Sequence, residues 1–420
     1  MSTILKGATV YMQSGLEKLD IKISEGIIAA LGSVSVSPED EVIDVSRKYI
    51  FPGFADVHVH LREPGFSYKE TIFTGSRACA AGGYTTVCAM PNLNPVPDSV
   101  EHLNEELSII KRDAAIEVLP YGALTVGEKG KELADMDGMA PYICAFSDDG
   151  KGVQNEEMML KAMLKAKSLG KVLAAHCEDE SLLHGGYIHD GVYAKEHGHK
   201  GICSESEWGP IKRDIEFCRK TGCSYHVCHV STKESVALIR KAKAEGVNIT
   251  CETGPHYLVL CDEDLQEEGR FKMNPPLRSR EDREALIEGI KDGTIDCIAT
   301  DHAPHSAEEK SKGLQNSPMG ITGIETAFPV LYTYLVKKGI LPLDLIINKL
   351  TKAPRARFGL GSGEIKEGER ADLCVFDLDT PFVINPDEFI SMGHATPFAG
   401  ETVYGRCDMT IYRGEIVWKR

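Results

Sequence analysis

The chain has 420 residues, 42% of them hydrophobic and 26% charged, which is ordinary for a soluble globular protein and enough for one large domain with a smaller one beside it. A formal net charge of −16 disfavours nucleic acid and anionic membrane surfaces as partners, since both attract basic patches. Thirteen cysteines, with no Cys-x-x-Cys pair, suggest neither a disulfide framework nor a thiolate zinc knuckle and fit a reducing cytoplasm.

The first stretch, MSTILKGATVYMQSGLEKLD, has no basic segment followed by an apolar run, and no later run approaches a membrane span. A soluble, cytoplasmic protein is expected. Residues 1–52 hold strand-like runs (ILKGATVYM, LDIKISEGIIAALG, EVIDVSRKYI) separated by turn residues. FPGFADVHVHLREPG, residues 51–65, comes next. In an extended strand residues two apart share a face, so Asp56, His58 and His60 look one way and Val57 and Val59 the other. Taken alone this is as readily an edge strand with polar residues facing water.

From there strand and helix patterns alternate. GGYTTVCAM reads as a buried strand, and VQNEEMMLKAMLKAKSLGK as a helix with Gly170 where a C-terminal cap belongs. VLAAHCED is the next strand. CSYHVCHVS, helix TKESVALIRKAKAEG, strand VNITCET, helix REDREALIEGIKDGT and strand IDCIATDHAPH continue the cycle. Such alternation over roughly 300 residues implies a parallel sheet with helices outside, and suits a (β/α)8 TIM-like barrel of ~250 residues plus insertions. The barrel is expected over residues 53–362. Residues 363–420 return to short strands (ADLCVFDL, ETVYGRCDMTIYRGEIVWK) and are expected to pack with 1–52 as a small β-sandwich domain, each half being too short to bury a core alone.

On that frame His58 and His60 end the first barrel strand, and His176, His229 and Asp301 end later ones, at the face where barrel active sites lie. Any one of these histidines would be read as a hydrogen-bonded core residue. Their joint placement suits zinc or another divalent first-row metal. Two ions would need a bridging carboxylate, for which CAFSDDGKG offers Asp148 and Asp149, Asp-Asp-Gly being also a common acidic turn.

DVHVHLREPG, MPN, FSDDG, HCED, HVST, MNPPLR and ATDHAPH stand in the order and approximate spacing of the class I dihydroorotases of the amidohydrolase superfamily, which the chain resembles over essentially its whole length. The resemblance implies hydrolysis of dihydroorotate, or its formation from N-carbamoyl-L-aspartate, in pyrimidine biosynthesis. It implies two zinc ions on His58, His60, His176, His229 and Asp301, with Asp149 as the bridge and Co2+ or Mn2+ as substitutes. It also places substrate carboxylate contacts on Arg62, Asn92 and His305, and a ring-amide contact on Asn274. Several relatives bridge their metals with a carbamylated lysine. Here the strand ends in Ser147-Asp148-Asp149 and the nearest lysine, Lys151, lies past the turn, which points to an aspartate-bridged subgroup.

Opening a cyclic amide needs a strong nucleophile, an oxyanion stabiliser and an acid for the leaving nitrogen. A metal-bound hydroxide supplies the first, the pKa of bound water falling towards ~7, and the ions supply the second. Asp301 is the candidate proton shuttle; a purely ligating role is the plainer alternative. The polar segment 306–320 reads as a loop that closes over substrate, bringing Met319 and Gly320 to the ring edge. The rival readings are a dihydropyrimidinase, hydantoinase or allantoinase, whose rings lack the carboxylate that Arg62 would meet, and an inactive scaffold for aspartate transcarbamoylase, which loss of metal ligands would mark. A homodimer and an association with aspartate transcarbamoylase are left open by the sequence.

Overall fold

The computed structural model describes residues 2–420. Thr3–Met12, Gly15–Ser24 and Ile27–Gly32 form an antiparallel meander. Within the first strand the register shifts between Leu5 and Ala8, around Gly7 at φ +79°. The bulge bends the strand, so its first half pairs with Glu41–Asp44 and its second half with Tyr49–Pro52. The sheet continues through Leu373–Asp377, Arg406–Tyr412 and Glu415–Lys419, so both ends of the chain share it. Leu5, Val10, Ile21, Ile28, Ile50, Leu373, Val375 and Ile411 form its buried core.

The middle of the chain is a mixed α/β region whose strands are parallel. Phe54–Val59, Tyr84–Ala89 and Glu117–Pro120 form one run. Gly122–Ala123, Ala145–Ser147, Val172–Ala175, Tyr225–Val227, Ile249–Thr253 and Cys297–Ile298 form another. Phe54–Val59 and Tyr84–Ala89 are buried at every position, as parallel strands covered on both faces must be. Backbone bonds link the runs: Tyr121 N–H donates to Ala89 O at 2.9 Å and Cys144 N–H to Pro120 O at 3.0 Å. At the far side His60 N–H donates to His302 O at 2.8 Å, beside a parallel bridge between Val59 and His302. Asp56, fully buried, adds a latch there by accepting from His58 N–H at 2.9 Å and Thr300 N–H at 3.0 Å.

The helices follow their sequence signals. Glu156–Ser168 is capped by Asn155, whose side chain accepts from Met158 N–H, and buries Met159, Ala162, Met163 and Ala166 on one face; Leu164 faces water. Gly170 lies just past its end at φ +66°. Lys233–Ala244 is capped by Thr232, and Arg280–Lys291 by a Ser279–Asp282 capping box. Among the described residues no helix is long and apolar enough to cross a membrane.

The strand ladders are shorter than their sequence patterns. They stop at Val59, Ala175, Val227 and Ile298, so His60, His176, His229 and Asp301 stand just beyond strand ends. His229 and Asp301 have φ of +32° and +48°, and Arg62 has +61°. This left-handed backbone is strained for residues with a Cβ and ends the ladder by turning the chain out of the strand direction. Arg62 therefore reaches the mouth from a turn and not along a continuing strand. Segment 306–320 is likewise more ordered than a polar loop, holding short helices at Ala307–Lys310 and Gly313–Asn316.

Candidate functional site

The strand-end residues converge on Asp149, whose carboxylate faces all four histidines. Its Oδ1 lies 3.5 Å from His58 Nε2 and 3.7 Å from both His176 Nδ1 and His229 Nε2, and its Oδ2 lies 3.5 Å from His60 Nε2. Asp301 Oδ1 is 3.1 Å from His60 Nε2 and 3.5 Å from His58 Nε2, and His176 Nδ1 is 2.9 Å from His229 Nε2. All six residues are buried.

Donors held ~2.0–2.2 Å from a tetrahedral ion lie roughly 3.4 Å from one another, close to most of these separations. Three sets could each hold an ion: His58, His60 and Asp149; His58, His229 and Asp301; Asp149, His176 and His229. His58 Nε2 and Asp149 Oδ1 are buried without a hydrogen-bond partner, an arrangement that costs free energy unless a cation is shared between them. Electrostatics agree. Burial disfavours a charged His58, yet Asp149 and Asp301 outweigh it and hold the imidazole pKa well above its usual range. The same negative field favours a divalent ion. The residues present therefore fit a divalent metal centre, with Asp149 common to two of the sets.

A cavity of about 270 Å³ opens over this cluster. Arg62, Asn92, Asn274, Met319 and Gly320 line it together with His60, Asp149, His176, His229 and Asp301. Arg62 is half-buried. Its Nε donates to Pro304 O at 3.2 Å and its Nη2 lies 3.4 Å from His305 Nε2; among the described residues it makes no ion pair. Asn92 donates its amide to Asp149 O, and Asn274 donates to Glu178 Oε2 at 3.2 Å. Gly320, at φ +129°, admits no side chain: a Cβ would stand 2.7 Å from Ala303 O.

His305 does not line the cavity. It sits behind Arg62, with Nε2 donating to Met319 O at 2.8 Å and Nδ1 accepting from Lys69 Nζ at 3.2 Å. Burial, then Arg62 and Lys69, push its pKa down and keep it neutral. Asp148 is no exposed acidic turn either: its carboxylate accepts from the Leu124 and Thr125 N–H groups at 2.8 and 3.1 Å and from the Thr125 hydroxyl, pointing away from the histidines.

Sequence reasoning missed Glu178, Lys69 and Glu252. Glu178 stands between His176 Nε2 and Asn274, and only its place in HCED hints at this. Glu252 accepts from His58 Nδ1 at 2.7 Å, and a single glutamate inside VNITCET gives no sign of it.

Parallel strands ending in a buried histidine–carboxylate cluster fit an enzyme of metal-assisted hydrolysis. The Dihydro-orotase-like family model matches residues 47–235. A dihydroorotase from Anoxybacillus flavithermus is 49% identical over 424 residues, with 100% of this chain and 99% of that protein covered. One from Bacillus cytotoxicus is 51% identical over 423 residues, with the same coverage. Among solved structures, the L-hydantoinase (dihydropyrimidinase) from Arthrobacter aurescens superposes with a TM-score of 0.88 at 26% identity, over 99% of this chain and 96% of that one. The chain belongs to the dihydroorotase family.

Proposed function

We propose that the chain interconverts (S)-dihydroorotate and N-carbamoyl-L-aspartate in de novo pyrimidine biosynthesis, opening and closing a cyclic amide. The observation that carries this choice of substrate is Arg62, an arginine that makes no ion pair among the described residues and lies in the wall of the cavity that holds the histidine–carboxylate cluster. A partly desolvated guanidinium without an anion is costly, and its planar fork matches a carboxylate. Dihydroorotate brings that carboxylate; the neutral rings of hydantoinase and dihydropyrimidinase substrates do not.

The parallel strands and the Val59–His302 bridge support reading the frame as a (β/α)8 barrel over residues 53–362, and the sheet shared by both chain ends supports reading residues 1–52 and 363–420 as one small β-sandwich domain. Two divalent ions, zinc or in its place cobalt or manganese, would be held by His58, His60, Asp149, His176, His229 and Asp301, with Asp149 shared. When bound they supply water of lowered pKa and polarise the amide carbonyl. The chain's own groups do the rest. Asp301 lines the cavity and is kept ionised against burial by His58 and His60, so it accepts the proton of the attacking water and delivers it to the ring nitrogen. Arg62 and Asn92 orient the carboxylate, with His305 bracing Arg62 and the Met319 carbonyl from behind. Asn274 meets the ring amides, and the backbone at Met319 and Gly320 meets the ring edge.

The test is an assay of purified protein against dihydroorotate, dihydrouracil, hydantoin and allantoin, with metal measured on the same sample. Turnover is expected on dihydroorotate far above the others, with divalent metal present. Faster turnover of a neutral ring would overturn the substrate assignment.

A further inference from the structure

On the two-ion reading above, we infer that Glu252 is a positioning residue for the metal centre, holding the His58 ring and the His229 backbone on one carboxylate oxygen and so fixing the two halves of the centre relative to each other. Glu252 is 1% exposed in strand Ile249–Thr253, beneath the histidines. Its Oε1 accepts from His58 Nδ1 at 2.7 Å and from His229 N–H at 3.4 Å. Its Oε2 accepts from His226 Nε2 at 3.1 Å, and His226 Nδ1 accepts in turn from the Thr250 hydroxyl at 2.8 Å.

The consequences follow from imidazole chemistry. With its Nδ1 proton committed to Glu252, His58 has only Nε2 left to turn to a bound ion, in the space where Asp149 and Asp301 each stand 3.5 Å away. His58 and His229 each belong to two of the three sets that could hold an ion at the mouth, and they share one of them, so a single carboxylate constrains ligands on both sides of Asp149. An anionic acceptor on the far nitrogen also makes the near nitrogen a stronger ligand. Every hydrogen bond Glu252 makes here is one it accepts, from two ring N–H groups and one backbone N–H, as suits a carboxylate.

Glu252 also falls in sets with Cys228 and Cys297 that could themselves hold an ion. Two observations count against that. Both of its oxygens are already taken by N–H donors, His58 and His229 on one and His226 on the other. Both cysteines are packed in the buried core, and neither lines the cavity over the cluster.

The test compares wild type with Glu252→Gln, which keeps the side-chain volume; its amide oxygen can still accept from His58 and its amide nitrogen can donate to His226 Nε2 once that ring moves its proton to Nδ1. Zinc affinity is measured by chelator competition, kcat and KM by dihydroorotate turnover, and the His58 Nδ1 proton by NMR of the zinc-loaded protein. Expected are zinc binding weakened about 10–100-fold, a fall in kcat with KM little changed, and a far-downfield His58 proton in wild type that moves upfield in the variant. Two zinc ions in wild type with equal affinity and an unmoved proton in Glu252→Gln would overturn the role of Glu252 while leaving the two-ion centre standing. A wild type that binds no zinc would sink both. Should Glu252→Gln not fold, the wild-type signal decides, because absence of a downfield Nδ1 proton on His58 overturns the inference.

Discussion

Arg62 is held by one backbone carbonyl and stands beside the His305 ring, so its guanidinium still has charge and donors to offer. Removing one side of a desolvated charged pair typically costs about 2–5 kcal/mol, so Arg62→Ala should lower kcat/KM on dihydroorotate by roughly 30-fold to several thousand-fold. Turnover of dihydrouracil should barely change, and metal content should not change. Arg62→Lys keeps the charge without the fork and should recover part of the loss. An equal fractional effect on both substrates would refute the carboxylate contact. The neighbouring aspartates separate by role. Asp149→Ala should lose at least one metal per chain. Asp148→Ala should keep its metal but melt at lower temperature, since buried Leu124 and Thr125 donors are left unpaired at about 1–3 kcal/mol each. Metal loss in both variants alike would count against Asp149 as the bridge. The histidines and Asp301 were legible in the sequence because polar groups at the ends of apolar strands stand out against what a core tolerates. Glu252 and the Thr300 partner of Asp56 were not, since these contacts join strands far apart in the chain and a lone carboxylate in a strand pattern does not say what it meets.

At the scale of elements, helices with two or more turns announced themselves through apolar spacing and caps, as in Glu156–Ser168 and Arg280–Lys291. Segments too short to show a period did not. The parallel pair Ile188–His189 and Gly201–Ile202, with helix Val192–His197 between, is one such case, and segment 306–320 is another. That segment is pinned by the buried Lys310, whose ammonium donates to the carbonyls of Lys272, Pro318 and Gly320 at 3.1, 2.9 and 2.7 Å. Lys272 returns a bond to Gln315 O at 2.6 Å. Lys310→Met fills similar volume and strips three carbonyls of a partner, so hydrogen exchange over residues 313–320 should accelerate. Because Met319 and Gly320 line the cavity, KM for dihydroorotate should rise several-fold while metal content holds. Unchanged exchange and KM would mean that the Lys272 contacts alone hold the segment.

For the whole molecule, alternating strand and helix patterns made the parallel region legible and the shortness of the two strand-rich ends made their packing together expected, while the register of Tyr49–Pro52 against Leu373–Asp377 rests on contacts that no local pattern encodes. The parallel region brings Asp149 and Asp301 together within a buried ring of histidines. Two carboxylates in one desolvated site repel each other and need cations to balance them. Chelation should therefore abolish turnover and lower the melting temperature. Zinc, cobalt or manganese should restore both, each ion adding about 2.7 kcal/mol at a free concentration 100 times its Kd. Because Asp149 carries its carboxylate in its own side chain, reconstitution should not require bicarbonate. A carbamylated lysine would require it, and Lys151, the nearest candidate, is exposed and faces Glu128 at 3.9 Å instead of the histidines. Full activity in protein shown to be free of metal would refute the metal centre. Recovery that occurs only when bicarbonate is supplied would leave the centre standing and remove Asp149 as its bridge.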